Sequence, residues 1–229
     1  MALLSLPRRL LKLVHPEGIP FPGTALYNLF SRSAIFQQHY EMLSGDIFGH
    51  CPDGSLLDIG TGPGWLLVKL HDLNPAYKLT GIDASASMVT RARKNMEKAG
   101  LSGAVRIEEG NASRLSIADE SLDAVVSTGS LHHWKEPIRG LNEVHRVLKP
   151  GGFGLIYDLV ADTPPAVLRE AAERFGRMRM MLLWLHAFEE PFYSQEKLVE
   201  MAFSTNFTGG RCRFVGVLCC LHLTKVNKS

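Results

Sequence analysis

From residue 55 onward the sequence alternates short apolar runs with helix-like segments, and this alternation limits the folds that the chain can adopt. Five runs have the length and composition of buried strands: SLLDIG (55–60), KLTGID (78–83), VRIEEG (105–110), LDAVVSTG (122–129) and FGLIYDLV (153–160). Such βαβα order predicts a parallel, doubly wound α/β sheet with right-handed crossovers and helices on both faces.

The helices between these strands are marked by their caps and by their stop signals. The sequence predicts helices over residues 63–73, from the cap Ser85 to about Ala99, and over residues 136–148. Basic residues in the second half of the 85–99 segment suit the helix dipole. The segment Lys149-Pro150-Gly151-Gly152 predicts a helix stop followed by a turn.

The end of the chain follows a different pattern. Residues 210–216 and 217–225 are two β-type runs with a single short turn at Gly216, which predicts an antiparallel hairpin at one edge of the sheet. The complete expectation is a Rossmann-like sheet of seven strands, mostly parallel, with an antiparallel C-terminal hairpin.

Two segments lie outside the alternation. Residues 1–50 are predicted to form an N-terminal helical cover segment, and residues 51–229 the main domain, with a helical lid insertion at about 161–195. Both segments could cover the carboxyl ends of the strands. The methionine-rich run at 178–185 favours ordinary helix packing, with an adaptable apolar or aromatic substrate pocket as the alternative.

Composition narrows the class of protein. The net charge of +2 on 229 residues gives no field of one sign that would indicate nucleic acid as a partner. None of the four cysteines has metal-ligand spacing, so no metal is predicted, and reduced thiols indicate a cytoplasmic protein. Residues 1–15 are basic and amphipathic; a packing helix is favoured there over contact with a membrane surface.

The segment DIGTGPG (58–64) carries the chemical argument. Glycines let a backbone approach a ligand closely, and a strand–loop–helix unit points N–H groups at it. A pyrophosphate-binding G-x-G-x-x-G pattern would need glycine at position 65, which is Trp65. Asp58 at the loop mouth would repel phosphates and attract a cation. The predicted ligand is nucleoside-like, carries an ammonium or sulfonium group and has no phosphate.

On these residues the sequence resembles the class I S-adenosylmethionine-dependent methyltransferases. DIGTGPG is similar to the first motif of that family, and later segments are similar to the motifs that follow it. These segments, in the family's order, are GIDAS, EEGNASRLSI, LDAVVSTGSLHHW and EVHRVLKPGGFGLIYD. The small-molecule branch with the ubiquinone and menaquinone methyltransferases is the most similar. The resemblance covers about residues 50–160 and implies S-adenosyl-L-methionine as cofactor.

The resemblance also implies which residues contact the cofactor. They are, in chain order, Asp58, Gly60, Thr61, Gly62, Gly64, Asp83, Ala84, Met88, Asn111, Ala112, Ser127 and Thr128. Asp83 is similar to the acid that accepts both ribose hydroxyls. Asn111 stands where the family commonly has aspartate; its amide can still bond adenine, or Asn111 is only a turn residue.

Catalysis by direct in-line methyl transfer needs a base only for a neutral hydroxyl or an activated carbon. His132 and His133, after the fourth strand, are the best candidates for such a base, with packing or capping as the alternative. Tyr40, Tyr157, Asp158, His186 and Tyr193 are weaker candidates for the site.

Three functions remain open at this point. The first is methyl transfer to a small-molecule acceptor, possible at O, C, N or S. The second is a cofactor-binding pseudo-enzyme or partner-dependent subunit without its own transfer activity. The third is a protein or RNA methyltransferase, which the near-neutral charge weighs against. The sequence specifies neither the acceptor nor the oligomeric state.

Overall fold

The computed structural model describes residues 34–176 and 192–226. These two stretches form six α-helices, one short 3₁₀ turn and seven strands. In chain order they are α1 Ala34–His50, β1 Ser55–Ile59, α2 Trp65–Leu73, β2 Lys78–Asp83, α3 Ala86–Lys98, β3 Val105–Glu109, β4 Leu122–Thr128, the 3₁₀ turn Leu131–His133, α4 Pro137–Val147, β5 Leu148–Asp158, α5 Pro165–Phe175, α6 Gln195–Phe203, β6 Arg211–Val215 and β7 Leu218–Thr224.

All seven strands join one sheet in the order β3-β2-β1-β4-β5-β7-β6. The first five strands are parallel, and β7 runs antiparallel to both of its neighbours. The predicted Rossmann-like sheet with a C-terminal hairpin is therefore confirmed. The strand order reverses between β1 and β4, where open α/β sheets leave a crevice at the carboxyl ends of their strands.

Alternating side chains of the strands feed two apolar cores, one on each face of the sheet. Leu57, Ile59 and Val125 face the core that α4 and α6 cover. On the other face Leu56 and Val126 contact the core that α1, α2 and α3 cover. Burial on both faces explains why the strands read as continuous apolar runs.

Helix boundaries follow the predicted caps closely. Ser85 is the N-cap of α3, and its hydroxyl accepts from the Met88 amide. Helix α2 begins at Trp65 rather than at Pro63, because Gly64 precedes it in the left-handed conformation.

The helix stop predicted at residues 149–152 is confirmed, since α4 ends at Val147 and Gly151 has a φ of 79°, but these residues form the irregular start of β5 rather than a separate turn. The chain tail supplies partners: the Gly151 amide donates to the Lys225 carbonyl at 2.8 Å, and the Lys225 amide donates to the Gly152 carbonyl at 2.9 Å. The turn residues instead produce a register shift against β4, between Leu122 and Ala124.

Helix α1 is attached to the sheet by a polar network. The Arg213 guanidinium on β6 donates to both Asp46 carboxylate oxygens, at 2.8 and 2.6 Å, and the Tyr157 hydroxyl on β5 donates to the same carboxylate at 2.6 Å. Tyr40 is a residue of α1, and its side chain is buried in the core between α1 and the sheet. Tyr40 and Tyr157 therefore pack and tether α1.

The outer edge of β3 is capped by a side chain. Arg93 on α3 donates from Nε and Nη2 to the Ile107 carbonyl, at 3.0 and 2.8 Å.

Four thiols are free: Cys51, Cys212, Cys219 and Cys220. Across residues 34–176 and 192–226, no helix is long and apolar enough to cross a membrane.

Three predicted features lie outside the described residues. They are the possible membrane-contacting segment 1–15, the methionine-rich run 178–185 and His186. Residues 177–191 of the predicted lid insertion lie there as well, whereas its residues 161–176, which include α5, and 192–195 are described.

Candidate active site

Polar side chains gather where β1, β2, β4 and β5 end. Asp58 lies on β1, Asp83 ends β2, Ser127 and Thr128 close β4, and Asp158 ends β5. Ile59 on β1 is aligned with Ser127 on β4, and Thr128 with the residue before Asp158. Parallel pairing therefore places these groups along one edge of the sheet, at the reversal of strand order.

The loop after β1 turns sharply because its three glycines have positive φ angles. These angles are 75° at Gly60, 52° at Gly62 and 82° at Gly64. The amides of Gly60 and Thr61 both donate to one carbonyl of β2, at 2.8 and 2.9 Å. A methyl group on Gly60 would collide with the Ser130 side chain, so the loop lies directly against the segment after β4.

Asp58 is as deeply buried as Asp158 at this edge, each with 2% exposure. The Asp58 Oδ1 has no hydrogen-bond partner within the described part of the chain. Burial raises the pKa of Asp58 to about 7; the Thr61 hydroxyl opposes the rise and the negative charge of Asp83 adds to it. A buried carboxylate in this position is stabilised when a cation binds beside it.

Asp83 is held by backbone amides on two sides. Its Oδ2 accepts from the Gly62 amide and its Oδ1 from the Ser85 amide, each at 2.9 Å. Burial raises the pKa of Asp83, while the hydrogen bonds from Ser85 and Gly62 work against that rise. The carboxylate is thus fixed between the glycine loop and α3, with lone pairs remaining for a further donor such as a ligand hydroxyl.

Of the four other residues that were predicted to contact the cofactor after β2 and β3, some lie at this edge and some in the core. Ala84 is exposed beside Asp83, whereas Met88 is buried in the first turn of α3. The Asn111 Oδ1 accepts from the Ser113 amide at 2.7 Å, so Asn111 does form a turn. Ala112 is buried in the core under α4, which leaves its backbone rather than its methyl group for the site.

Two hydroxyl groups of β4 are, like Asp58 Oδ1, buried without a hydrogen-bond partner in the described residues. Ser127 Oγ and Thr128 Oγ1 are buried, and neither has a hydrogen-bond partner in the two described stretches. Buried hydroxyls are normally paired because an unpaired one costs free energy. Three unpaired polar groups on neighbouring strand ends are therefore the signature of a site for a polar ligand.

The two candidate histidines follow in the 3₁₀ turn after β4. The His132 Nδ1 lies 2.8 and 2.9 Å from the two carboxyl oxygens of Asp158, and the His132 amide donates to Oδ2 at 3.0 Å. Both side chains are almost completely buried. The His133 ring is half-buried, and its centroid lies 3.9 Å from that of His132.

Sequence reasoning missed two relationships in this region. It treated Asp158 as a weaker candidate by itself, although its position at the end of β5 placed it at the same edge as the histidines. It also assigned no role to Ser130, whose hydroxyl accepts from the Trp134 indole at 2.9 Å and fixes the wall beside Gly60. Tyr193 is buried, and its carbonyl accepts from the Ala161 amide at 2.9 Å.

The arrangement suits a ligand that combines hydroxyls with a positive charge. Asp83 can accept from ligand hydroxyls, and Asp58 offers an unused oxygen to a cation. Two buried carboxyl groups next to the glycine loop oppose a pyrophosphate, which agrees with the departure at Trp65 from the dinucleotide pattern.

Comparison with known proteins also indicates a methyltransferase domain. Residues 57–156 match the family model described as a methyltransferase domain. The ubiquinone/menaquinone biosynthesis C-methyltransferase of Geotalea daltonii is 29% identical over 133 residues, which are 58% of this chain and 56% of that protein. The 27-O-demethylrifamycin SV methyltransferase of Amycolatopsis mediterranei is 35% identical over 145 residues, 62% of this chain and 53% of that protein. The chain thus spans about half the length of these curated relatives.

Solved structures share the fold. A methyltransferase of the S-adenosylmethionine-dependent type from Aquifex aeolicus aligns with a TM-score of 0.58 and 23% identity, over 76% of this chain and 82% of its own. A Methanococcus maripaludis protein assigned to the same type aligns with a TM-score of 0.73 and 20% identity, over 94% of this chain and 98% of its own.

The family match covers the glycine loop and every strand of the parallel sheet from β1 to β5. Together with the sheet order and the charge of the site, it agrees with the resemblance found in the sequence. The chain therefore carries a methyltransferase domain over residues 57–156, and it resembles the class I S-adenosylmethionine-dependent methyltransferases of the ubiquinone/menaquinone branch.

Proposed function

We propose that this chain transfers the methyl group of S-adenosyl-L-methionine to a small-molecule acceptor. The observation that carries the proposal is the buried Asp58 Oδ1 beside the glycine loop, which has no hydrogen-bond partner among the described residues, because this cofactor brings a positive charge and no phosphate. Relatives that act on quinones and on a rifamycin support a small-molecule acceptor.

The residues of the site fit the cofactor in four groups. Asp58, with Gly60, Thr61, Gly62 and Gly64, would hold its charged methionine end. Asp83 would accept the ribose hydroxyls while the Gly62 and Ser85 amides fix its orientation.

The adenine and the reacting end would meet the remaining residues. Ala84, Met88, Asn111 and Ala112 border the place where the base would lie; Asn111 would bond the base mainly through its NH₂ group, since the Ser113 amide occupies one lone pair of its oxygen. Ser127 and Thr128 offer their unpartnered hydroxyls beside Asp58.

S-adenosylmethionine supplies a methyl group that is already activated by its sulfonium charge. The protein must then position the acceptor, exclude water and take up a proton where the acceptor carries one. We propose His132 and His133 as the flanking residues of the acceptor, because both stand in the turn that follows β4. Positioning and desolvation can supply several kcal/mol of the acceleration.

Calorimetric titration with S-adenosylmethionine and S-adenosylhomocysteine, with NAD as control, tests the cofactor site. We expect binding of the first two and none of NAD. Asp83→Ala should weaken binding at least about tenfold, because charge-assisted hydrogen bonds are lost. Asp119→Ala is the matched control, since Asp119 is an exposed acid whose one ion pair within the described residues is with Arg146. Unchanged affinity in Asp83→Ala would contradict the ribose assignment.

Turnover needs a separate measurement. Formation of S-adenosylhomocysteine is followed with a panel of phenols, hydroquinones, thiols and amines, and we expect at least one class to be methylated. Binding without turnover on any acceptor would instead favour the pseudo-enzyme or the partner-dependent subunit. Turnover only on protein or RNA would favour the third function.

A further inference from the structure

The His132 ring is held on three sides by groups from different parts of the chain. The Asp158 carboxyl group contacts its Nδ1 from β5, at 2.8 and 2.9 Å. The His133 ring lies 3.9 Å away between centroids, and the Phe192 ring meets it edge-on at 4.7 Å. A histidine that served only to end a turn would not need so specific an orientation of its ring.

The Asp158 carboxyl group is itself fixed. Its Oδ2 accepts from the His132 amide at 3.0 Å, and its Oδ1 accepts from the Leu159 amide at 2.9 Å. Both oxygens are thus turned toward donors, and the carboxyl group acts as an acceptor toward the ring as well. The proton of the contact between His132 and Asp158 therefore lies on Nδ1, and whenever the ring is neutral its basic nitrogen is Nε2.

The pair also lies next to the proposed cofactor site. Ser130 contacts the glycine loop at Gly60, and His132 follows Ser130 by two residues in the same turn. Asp158 ends β5, the neighbour of β4, so its side chain belongs to the same edge of the sheet as Ser127 and Thr128. The turn with His132 therefore follows the strand end with Ser127 and Thr128, which the proposed function assigns to the reacting end of the site.

We propose that Asp158 is a positioning residue that keeps His132 in its Nδ1-protonated tautomer, so that Nε2 accepts a proton from a hydroxyl or an acidic carbon of the acceptor. This inference rests on the proposed methyl transfer and narrows its acceptor class. A thiolate needs no base, so a buried and oriented His132 favours O- or C-methylation over S-methylation.

Methyl transfer to a hydroxyl acceptor releases the proton of that hydroxyl group. The acceptor oxygen forms its new bond to the methyl carbon with its own electron pair, and the pair of the broken carbon–sulfur bond stays on sulfur. The proton of the hydroxyl moves to Nε2 of His132, and the resulting imidazolium is stabilised by Asp158 until it releases the proton to water.

Nitrogen-15 NMR of the imidazole rings in the full chain tests the positioning without any acceptor. The signals of His132 are assigned by their loss in His132→Gln. At neutral pH we expect a neutral ring with a protonated Nδ1 that is hydrogen-bonded. A ring that is protonated at Nε2 alone, or a permanently cationic ring at neutral pH, would overturn the proposal.

Asp158→Asn is the informative variant, because asparagine keeps the shape but has one oxygen for three donors. We expect loss of the bonded Nδ1 proton and a shift toward the Nε2-protonated tautomer. Asp162→Asn is the control: Asp162 accepts from the Gln195 amide at 2.9 Å and should leave the His132 signals unchanged. An unchanged tautomer in Asp158→Asn would contradict the role of Asp158. If this variant does not fold, the wild-type spectrum still decides.

The acceptor class has its own test. Among acceptors that are methylated in the panel described above, we expect hydroxyl or carbon acids to lose about 10²- to 10⁴-fold in kcat in His132→Gln, with cofactor affinity unchanged. Methylation of thiols alone would overturn the acceptor class. Failure of S-adenosylmethionine to bind would remove the proposed function instead, while the NMR result would still report on the pair.

Discussion

Asp58 combines deep burial with an unused carboxyl oxygen, and the two properties act in opposite directions on stability and on binding. Burial raises its pKa to about 7, whereas the unfolded chain titrates near 4. Between about pH 4 and pH 7 the folded protein therefore holds more protons at this site than the unfolded chain. The free energy of unfolding falls as the pH rises through this window and levels off above it.

Asp58→Asn should therefore stabilise the free protein while weakening its hold on the cofactor. The gain at pH 8 should be about 1–4 kcal/mol, because an ionised and buried carboxylate is removed, and it should shrink toward pH 5. Urea unfolding at both pH values measures it. Asp123→Asn is the control with the opposite sign: burial raises the pKa of Asp123, but hydrogen bonds from Lys149 and Ser55 outweigh it and lower that pKa. Equal stability of wild type and Asp58→Asn at pH 8 would refute the argument.

Gly60 is the residue at which conformation and contact act together. Its φ of 75° already strains any other residue, and a Cβ would also meet Ser130, which the Trp134 indole holds in place. Gly100 has a φ of 73° with open space around it, so Gly100→Ala isolates the conformational cost of about 1 kcal/mol.

We expect Gly60→Ala to lower the free energy of unfolding by clearly more than Gly100→Ala does, and to weaken binding of S-adenosylhomocysteine as well. Chemical denaturation and calorimetry of both variants provide the comparison. Equal losses of stability with normal binding would show that the loop tolerates a side chain and can move away from Ser130.

At the scale of elements, α1 is joined to the sheet by one ion pair between distant parts of the chain. Asp46 on α1 receives Arg213 in a two-point contact and the Tyr157 hydroxyl as a third donor. Burial raises the pKa of Asp46, but the hydrogen bonds from Arg213 and Tyr157 prevail and lower it. This network therefore helps to fix the position of α1 against the sheet.

Asp46→Asn should destabilise the docking of α1, because a bidentate contact loses its charge while Arg213 stays partly buried. We expect a loss of about 1–2 kcal/mol, reduced from the value of a fully buried pair because the Arg213 side chain is 35% exposed. Hydrogen exchange of the α1 amides measures the effect. Glu41 lies on the same helix as Asp46 and forms a more exposed pair with Lys69 on α2. Glu41→Gln breaks that pair and should change the protection of α1 little. Similar protection of α1 in the two variants would argue against the tether.

Elements were predictable from sequence where the signal is local. Apolar runs and caps located β2 at the observed residues and assigned Ser85 to the start of α3. The start of β5 at Leu148, before the glycines, was missed because the backbone of residues 151 and 152 pairs with Lys225, far away in sequence. The site shows the same division: motif residues could be named in advance, but the contact between His132 and Asp158 joins two strand ends and depends on the assembled sheet.

For the whole molecule, acid sensitivity arises where α1 meets the hairpin. His222 on β7 lies edge-on to His50, with ring centroids 5.2 Å apart. Burial lowers the pKa of His222, and the charges of His50, Arg213 and Arg211 lower it further, while that of Asp46 opposes them. Below about pH 6.5 the unfolded chain therefore binds a proton that the folded protein resists, and stability is lost as the pH falls.

His222→Gln should make the melting temperature fall less, or rise more, between pH 7 and pH 5 than that of the wild type, since the variant has no proton to take up at this position. Thermal unfolding in a pH series checks the expectation. The direction is opposite to that of Asp58, so the two variants should change the pH dependence of stability in opposite senses. A slope identical to that of the wild type would assign the acid sensitivity to other groups.

The position of β7 between β5 and β6 also has a consequence for biosynthesis. Strand β5 is complete at Asp158, yet its second neighbour is formed by residues 218–224. Until that segment has left the ribosome, the nascent sheet carries β5 as an open, apolar edge, which is the kind of surface that chaperones shield from aggregation. Closure of the sheet is therefore a late event that follows synthesis of the hairpin.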